Sequence, residues 1–447
     1  MSDISRYTNS YRPYGGWLEK PHDLQPPLSG DIIADAVIAG AGFAGLCTAL
    51  ELAASGAKVV VLEREFAGFG ASGRNAGYLG GGQALEYEMF LERVGHEQAK
   101  RIVGFYDEGV AYVERKLAEH GIECDYNASG IIRAGVHASQ EKKLRESMQT
   151  GIELGSAAKF LDPGQMRARG IPPAFLFGCL FRGGTLDPGK YVMGLRRAAL
   201  RAGVTIHETT PVLSYTEGQV VKVHTPHGSV SAPFLVLATN AYTPQLGLLR
   251  DKVMPLRVSA IESETLTAQQ LATLGWPGRE GIMTSHLVME SHRLTARNTL
   301  LLTTKRLGYS YGSRTPHVPD EAAYKALEET LRARFPAFGD VGIRACWSGY
   351  ISFAYDALPV VGESGAHGNI LYAAGCSGHG VGTQSLMGQL LAGRIRGNQD
   401  PLLAALRHRT PRTLPEPLQW GAVKVALGVA NLLDQRVNRR ARSEPAV

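Results

Sequence analysis

Cysteine is scarce in this chain, with 5 in 447 residues, at Cys47, Cys124, Cys179, Cys346 and Cys376. They are scattered, odd in number and without a CxxC spacing, so neither a metal site nor a disulfide framework is expected. Free thiols suit a reducing compartment, and the cytoplasm is the expected location. The chain has no apolar run of about 18 residues, which excludes an ordinary membrane span. The start, Met1-Ser-Asp-Ile-Ser-Arg6, has no apolar stretch, so no secretory signal is expected. Internal repeats and low-complexity tracts are missing too. Charged residues make up 20%, and the net charge of +6 draws partly on Arg436, Arg439, Arg440 and Arg442 in the tail. Without a basic–aromatic module, that excess does not indicate nucleic acid. It is compatible with an anionic ligand.

Glycine, by contrast, is plentiful, with 53 residues. The most informative stretch begins with the apolar run Asp35-Ala-Val-Ile-Ala39 and enters Gly-x-Gly-x-x-Gly at Gly40, Gly42 and Gly45. A helical pattern follows, then Lys58-Val-Val-Val-Leu-Glu63, a strand ending in an acid. That is the layout of a dinucleotide-binding βαβ unit. Gly40 permits the tight turn, Gly42 lets the backbone approach a pyrophosphate, and Gly45 lets the helix lie close to the strand. The helix N-terminus offers free N–H groups and a positive dipole end. Glu63 stands 23 residues past Gly40, close to the spacing of about 20 for an acid that binds a ribose hydroxyl.

The next segment, Gly68-Phe-Gly-Ala-Ser-Gly-Arg-Asn-Ala-Gly-Tyr-Leu-Gly-Gly-Gly82, chooses between dinucleotides. A long loop of small residues can lay its backbone against a flat ring, since glycine leaves no side chain to clash. A flexible linker has little use for Arg74-Asn75 at its centre.

On these residues the chain resembles the FAD-dependent oxidases of the D-amino-acid oxidase superfamily, which includes sarcosine and glycine oxidases. Gly70-Ala-Ser-Gly-Arg-Asn-Ala-Gly77 is most similar to the gamma-glutamylputrescine oxidase branch. Thr185-Leu-Asp-Pro188, Leu235-Val-Leu-Ala-Thr-Asn-Ala-Tyr242, Ser291-His-Arg-Leu-Thr-Ala-Arg-Asn298, Trp347-Ser-Gly349, Asp356-Ala-Leu-Pro359 and Gly375-Cys-Ser-Gly-His-Gly-Val381 extend the resemblance over roughly residues 30 to 400.

The resemblance implies an α/β fold. A discontinuous Rossmann-like FAD-binding domain of glutathione-reductase type would occupy residues 31–95, 160–250 and 345–400. An α+β substrate domain with a mainly antiparallel sheet would take 96–159 and 251–344. Residues 1–30 read as a polar arm and 401–447 as a helical tail. One helix is expected from Glu86 to His120, and another over Trp420–Arg442 with Val425, Val429, Leu432 and Leu433 on one side. That last helix either lies on a membrane surface or caps the cofactor domain, and capping is the expectation.

The resemblance also implies a chemistry: hydride leaves the carbon beside an amine nitrogen for N5 of non-covalently bound FAD, the imine hydrolyses, and O2 reoxidises the flavin to give hydrogen peroxide. The substrate would be a secondary amine or N-substituted amino compound. Two alternatives stay open, a dehydrogenase serving a membrane or protein acceptor and a flavin-binding protein without turnover. Expected FAD contacts are Gly40, Gly42, Phe43, Ala44 and Gly45 in the first turn, with Glu63 and Arg64 after the second strand. The small-residue loop adds Gly70, Ala71, Ser72, Arg74, Asn75, Gly77, Tyr78 and Leu79. Val212, Ala238 and Asn240 come from the middle segment, and Gly375, Gly378, His379, Gly380 and Val381 from a second glycine-rich helix start.

Three residues are candidates for catalysis. Arg74 would favour reduced flavin, unless it only binds phosphate or a local carbonyl. His379 is a flavin neighbour or a structural histidine. Lys305, after the apolar strand Thr299–Thr304, would promote reaction with oxygen, unless it is a strand-end lysine in solvent. Relatives look glycine-rich around Thr303-Thr-Lys305, so the resemblance does not carry their exact substrate over to this chain. His292, Arg293, Tyr309 and Tyr350 are substrate-pocket candidates. Cys376 reads as a small buried side chain rather than a covalent tether.

Overall fold

The computed structural model describes residues 7–82 and 87–443. The two apolar runs become Ala36–Ala39 and Val59–Leu62, buried at every position. Burial on both faces is what a continuous apolar run demands of a parallel strand. They lie inside a sheet ordered Val360–Ser364, Ile370–Ala374, Phe234–Leu237, Ala36–Ala39, Val59–Leu62 and Thr205–His207. All of its pairings are parallel except the one between Val360–Ser364 and Ile370–Ala374. Helices Phe43–Ala53, Pro188–Arg201 and Gly380–Ile395 cover it with apolar side chains. Strands Gly30–Ile33, Gly228–Ala232, Val221–Thr225 and Ser214–Thr216 form a second, smaller sheet.

The substrate-side sheet runs Ile343–Phe353, Met254–Ser263, Leu300–Thr304, Glu290–Leu294, Gly281–Thr284, Ile131–Gly135, Phe177–Phe181 and Lys159–Leu161. It is antiparallel apart from the pair Gly281–Thr284 with Ile131–Gly135. Helix Glu321–Arg334 packs Tyr324, Leu327 and Leu331 into its core.

The chain crosses between the two regions more often than the expected boundaries allow. Lys159–Leu161, Phe177–Phe181 and Ile343–Phe353 all join this eight-stranded sheet, although residues 160–161, 177–181 and 345–353 fall in the ranges expected for the cofactor domain. Conversely, His96–His120 packs Ile102, Val103, Tyr106 and Val110 into the cofactor-domain core. A strand such as Phe-Gly-Cys-Leu-Phe is apolar on both faces, so its pattern cannot say which sheet it joins. The long helix expected from Glu86 is two helices, Tyr87–Val94 and His96–His120, separated by Gly95 at φ +77°. Glu86 itself lies outside the described residues.

The first and last described segments are both fastened to the rest of the protein. Tyr11 bridges to Cys346, and Trp17 packs edge-on against Trp347 with ring centroids 6.3 Å apart. The C-terminal helix, Leu418–Ser443, caps the substrate side rather than the cofactor domain. Val423 packs with Met254, Leu256 and Tyr309, and the Asp434 carboxylate accepts the N–H groups of Leu287 at 2.9 Å and Val288 at 2.8 Å. Spacing shows that such a helix has an apolar side, not which neighbour it meets.

Candidate active site

Parallel sheets bind ligands beyond the carboxyl ends of their strands. Here Ala39, Leu62 and Ala238 mark those ends, and they line a cavity of about 790 Å³. The loop around Gly68–Ala76 and the turn Cys376–Val381 line the same cavity from distant parts of the chain. Substrate-sheet residues Val258, Ala260, Met283, Ser291, Thr303 and Tyr350 close it.

Two helix N-termini, at Phe43 and Gly380, face this space. A Cβ on Gly45 would lie 1.9 Å from the Gly40 carbonyl oxygen, so the first helix can approach its strand only with glycine there. Ser72 Oγ accepts the Phe43 N–H at 3.0 Å, which places the loop across the helix start. The Glu63 carboxylate accepts the N–H groups of Ala41 at 2.8 Å and Glu65 at 3.0 Å. Burial nevertheless pushes its carboxyl up from the ordinary value.

Loop side chains mostly shape the loop. Asn75 Nδ2 donates to the carbonyls of Ala71 and Ser72, and its Oδ1 accepts the Gly77 N–H. Arg74 is buried and spends its guanidinium on the carbonyls of Phe69, Ser348 and Pro13, at 2.8, 3.1 and 2.7 Å. No carboxylate among the described residues pairs with it. Its charge therefore stands uncompensated beside the cavity, and its direct role is that of a strut. Arg64 lies over the Tyr242 ring, 5.0 Å from the centroid, and both line the cavity.

Among the described residues, three buried polar atoms of the lining have no hydrogen-bond partner: Asn240 Oδ1, His379 Nδ1 and Gln384 Nε2. Buried polar groups are nearly always bonded, so such orphans point to a missing ligand with donors and acceptors. A flat heteroaromatic ring carrying an anionic tail suits the orphans together with the two helix N-termini. Burial holds His379 down to about 4, so its imidazole is neutral near pH 7.

The family model described as FAD dependent oxidoreductase (DAO) matches residues 35–394. The chain belongs to this family. It is an FAD-dependent oxidoreductase, and the residues around its cavity fit that cofactor. Gamma-glutamylputrescine oxidoreductase of Escherichia coli (strain K12) is 29% identical over 408 residues, 89% of this chain and 91% of that protein. The probable oxidoreductase OrdL of Haemophilus influenzae is 29% identical over 386 residues, covering 84% and 86%. Among solved structures, glycine oxidase from Geobacillus kaustophilus superposes with TM-score 0.71 at 19% identity, covering 83% of this chain and 96% of that one.

Most of the expected cofactor contacts line the cavity: Gly40, Gly42, Phe43, Ala44, Glu63, Arg64, Gly70, Ala71, Ser72, Arg74, Asn75, Tyr78, Val212, Ala238, Asn240, Gly378, His379, Gly380 and Val381. Gly45, Gly77, Leu79 and Gly375 do not, and act from behind the lining. A Cβ on Gly77 would meet the Leu186 carbonyl oxygen at 2.0 Å, and one on Gly375 would meet Val360 Cγ2 at 2.8 Å. Leu79 is fully buried in the cofactor-domain core.

Of the expected substrate contacts, Tyr350 lines the cavity, and its hydroxyl donates to the Pro316 carbonyl at 2.8 Å. His292, Arg293, Tyr309 and Lys305 do not line it. His292 points to the opposite face of its strand, between Phe175 and Phe335. Arg293 Nη1 donates to the carbonyls of Ala76 and Leu186. Tyr309 bonds Glu416 at 2.7 Å and Gln419 at 2.6 Å, anchoring the C-terminal helix. Lys305 ion-pairs with buried Glu290. Strand alternation puts Met283, Ser291 and Thr303 on the cavity face instead, and these register partners form one row across the sheet. Once His292 is turned inward to the core, period two alone names Ser291.

Among the described residues, the charged groups that line the cavity are Glu63, Arg64 and Arg74, all on the cofactor side. The substrate wall has none.

Proposed function

We propose that the protein oxidises an amine at the carbon next to nitrogen, acting on a secondary amine or N-substituted amino compound, with O2 as the final acceptor and hydrogen peroxide as a product. The observation that carries this reading is the uncharged wall of Leu256, Val258, Met283, Tyr350 and Phe353 beside the cofactor loops. Similarity to a gamma-glutamylputrescine oxidoreductase supports the amine class. When bound, FAD supplies the hydride acceptor.

The chain's own residues set the conditions. Loss of hydride leaves an electron-deficient carbon that the lone pair of a neutral amine stabilises. A dry apolar wall favours that neutral form, because desolvation opposes an ammonium charge. Neutral His379 adds no competing cation near the reacting centre. With FAD bound, the Arg74 charge and the helix N-terminus at Gly380 would favour negative charge on the cofactor. Water then hydrolyses the imine to a carbonyl compound and a shorter amine.

The test is anaerobic mixing of the purified yellow protein with polyamines, gamma-glutamyl polyamines, N-methyl amino acids and cyclic imino acids. Bleaching by one amine class, followed by stoichiometric peroxide on admitting air, is the expected result. Bleaching with recovery only after an artificial acceptor is added would make the protein a dehydrogenase. A panel that leaves the flavin oxidised throughout would end the amine reading.

A further inference from the structure

The C-terminal helix is held by one face and bare on the other. Leu418, Val425, Val429 and Leu432 are between 51% and 67% exposed. Their spacing of seven, four and three residues places them along one stripe, opposite the buried Val423 and Asp434. Continued by three- and four-residue steps, that stripe runs into Arg436 and Arg440, both exposed, with Arg439 beside them. A single apolar side chain in water needs no explanation, but a stripe of four on one helix does.

The charges on this helix identify what covers it. Residues 418–443 contain Lys424, Arg436, Arg439, Arg440 and Arg442, and one acid, Asp434. Asp434 is buried and committed to the N–H groups of Leu287 and Val288. The exposed face therefore carries cations and no anion. A second copy of the same face would meet like charge, and an uncharged surface would leave the arginines without partners. An apolar stripe that ends in arginines matches the boundary between acyl chains and anionic headgroups. No described helix is long and apolar enough to cross a membrane, so contact would be from one side. We propose that residues 418–443 dock the protein on an anionic lipid surface, the stripe entering the interface and Arg436, Arg439 and Arg440 meeting phosphates.

The test is sedimentation of the full-length FAD-loaded protein with vesicles, either phosphatidylcholine alone or phosphatidylcholine containing about one third phosphatidylglycerol. Pelleting should be roughly tenfold or more greater with the anionic vesicles and should fall with salt. Val429→Glu with Leu432→Glu should abolish it, and Arg436→Ala with Arg439→Ala and Arg440→Ala should remove the preference for anionic lipid. All these side chains are exposed, and retained flavin absorbance confirms each variant's fold. Protein that stays in solution with both vesicle types overturns the proposal. So does a wild-type dimer in light scattering that Val429→Glu with Leu432→Glu converts to monomer, which would assign the face to a second copy. Vesicle binding is read without turnover, so its failure leaves the amine reading untouched.

Discussion

The Lys305 ammonium stands 2.6 Å from one Glu290 carboxylate oxygen, while Arg334 Nε reaches the other at 2.9 Å. Two successive positive φ values, +77° at Thr304 and +50° at Lys305, turn the chain as the strand ends and bring lysine to this pair. The group expected to meet oxygen is thus half of a structural ion pair. Removing one partner of a buried pair strands the other, at a cost of about 3–5 kcal/mol when nothing replaces it. Glu290→Gln should approach that cost in denaturant unfolding, because it strands both cations. Lys305→Met should cost less, since Arg334 still neutralises Glu290. Stopped-flow reoxidation of the reduced Lys305→Met protein by O2 should proceed within about twofold of wild type; a drop of a hundredfold or more would return Lys305 to the reaction.

Histidines and the Glu290 carboxylate make stability depend on pH in separate windows. His379, held at about 4 by burial, is neutral in the folded protein while its unfolded form gains a proton below about 6.5. The unfolded state then binds more protons, so stability falls as pH drops from about 6.5 to 4 and changes no further on this account below 4. Glu290 acts lower. Burial pushes its pKa up, but His292 at 3.5 Å and the charges of Arg334, His286 and Lys305 outweigh that and hold it well below the ordinary value. Its stabilisation is complete above an ordinary carboxylate pKa and is lost as pH falls through the folded one. Urea midpoints measured against pH should lose part of the upper slope in His379→Asn, because His317 is also held down to about 4 and keeps a share of it, and should lose the lower slope in Glu290→Gln.

Arg74 separates charge from scaffolding. Arg74→Met would leave three carbonyls unpaired, costing about 3 kcal/mol or more, and would remove the cavity's buried cation. Arg74→Lys keeps the cation and loses most of the bonds. Both should lower the melting temperature, whereas the flavin reduction potential should fall in Arg74→Met and stay close to wild type in Arg74→Lys. Equal potentials in all three proteins would leave Arg74 a strut alone.

The first turn has two glycines with different duties. Gly45→Ala drives a Cβ into the Gly40 carbonyl oxygen, a backbone atom with little freedom, and should cost about 1–3 kcal/mol of stability or more. At Gly42 the new Cβ meets Ser72 Oγ at 2.8 Å, a hydroxyl that can rotate. Gly42→Ala should therefore cost the apoprotein about 1 kcal/mol, the hydrogen bond from the Phe43 N–H to Ser72 Oγ, which is less than Gly45→Ala, and should weaken FAD binding, read by titrating the apoprotein with FAD and following flavin fluorescence.

The cofactor half of this arrangement was legible because its physics is local. Glycine positions, an acid at a strand end and uninterrupted apolar runs are each set within a few residues. The substrate wall is decided by facing, and a shift of one residue exchanges Ser291 for His292. Lys305 could not be placed from sequence, since its partner Glu290 belongs to another strand and Arg334 to a helix nearly thirty residues on. The strand Phe177–Phe181 lies in the range 160–250 expected for the cofactor domain, yet it pairs in the eight-stranded sheet for the same reason: its neighbours are chosen by topology. The side on which the last helix docks depended on Tyr309 and Asp434 finding partners far away in sequence.

The opening residues deserve a practical reading. Pro13 offers its carbonyl to Arg74, and Trp17 donates its indole N–H to the Asn75 carbonyl at 2.8 Å. A segment that looks disposable at the edge of the chain is therefore a clasp on the loop that lines the cavity. Trimming it to tidy an expression plasmid should yield colourless protein, for want of a grip rather than for want of a fold.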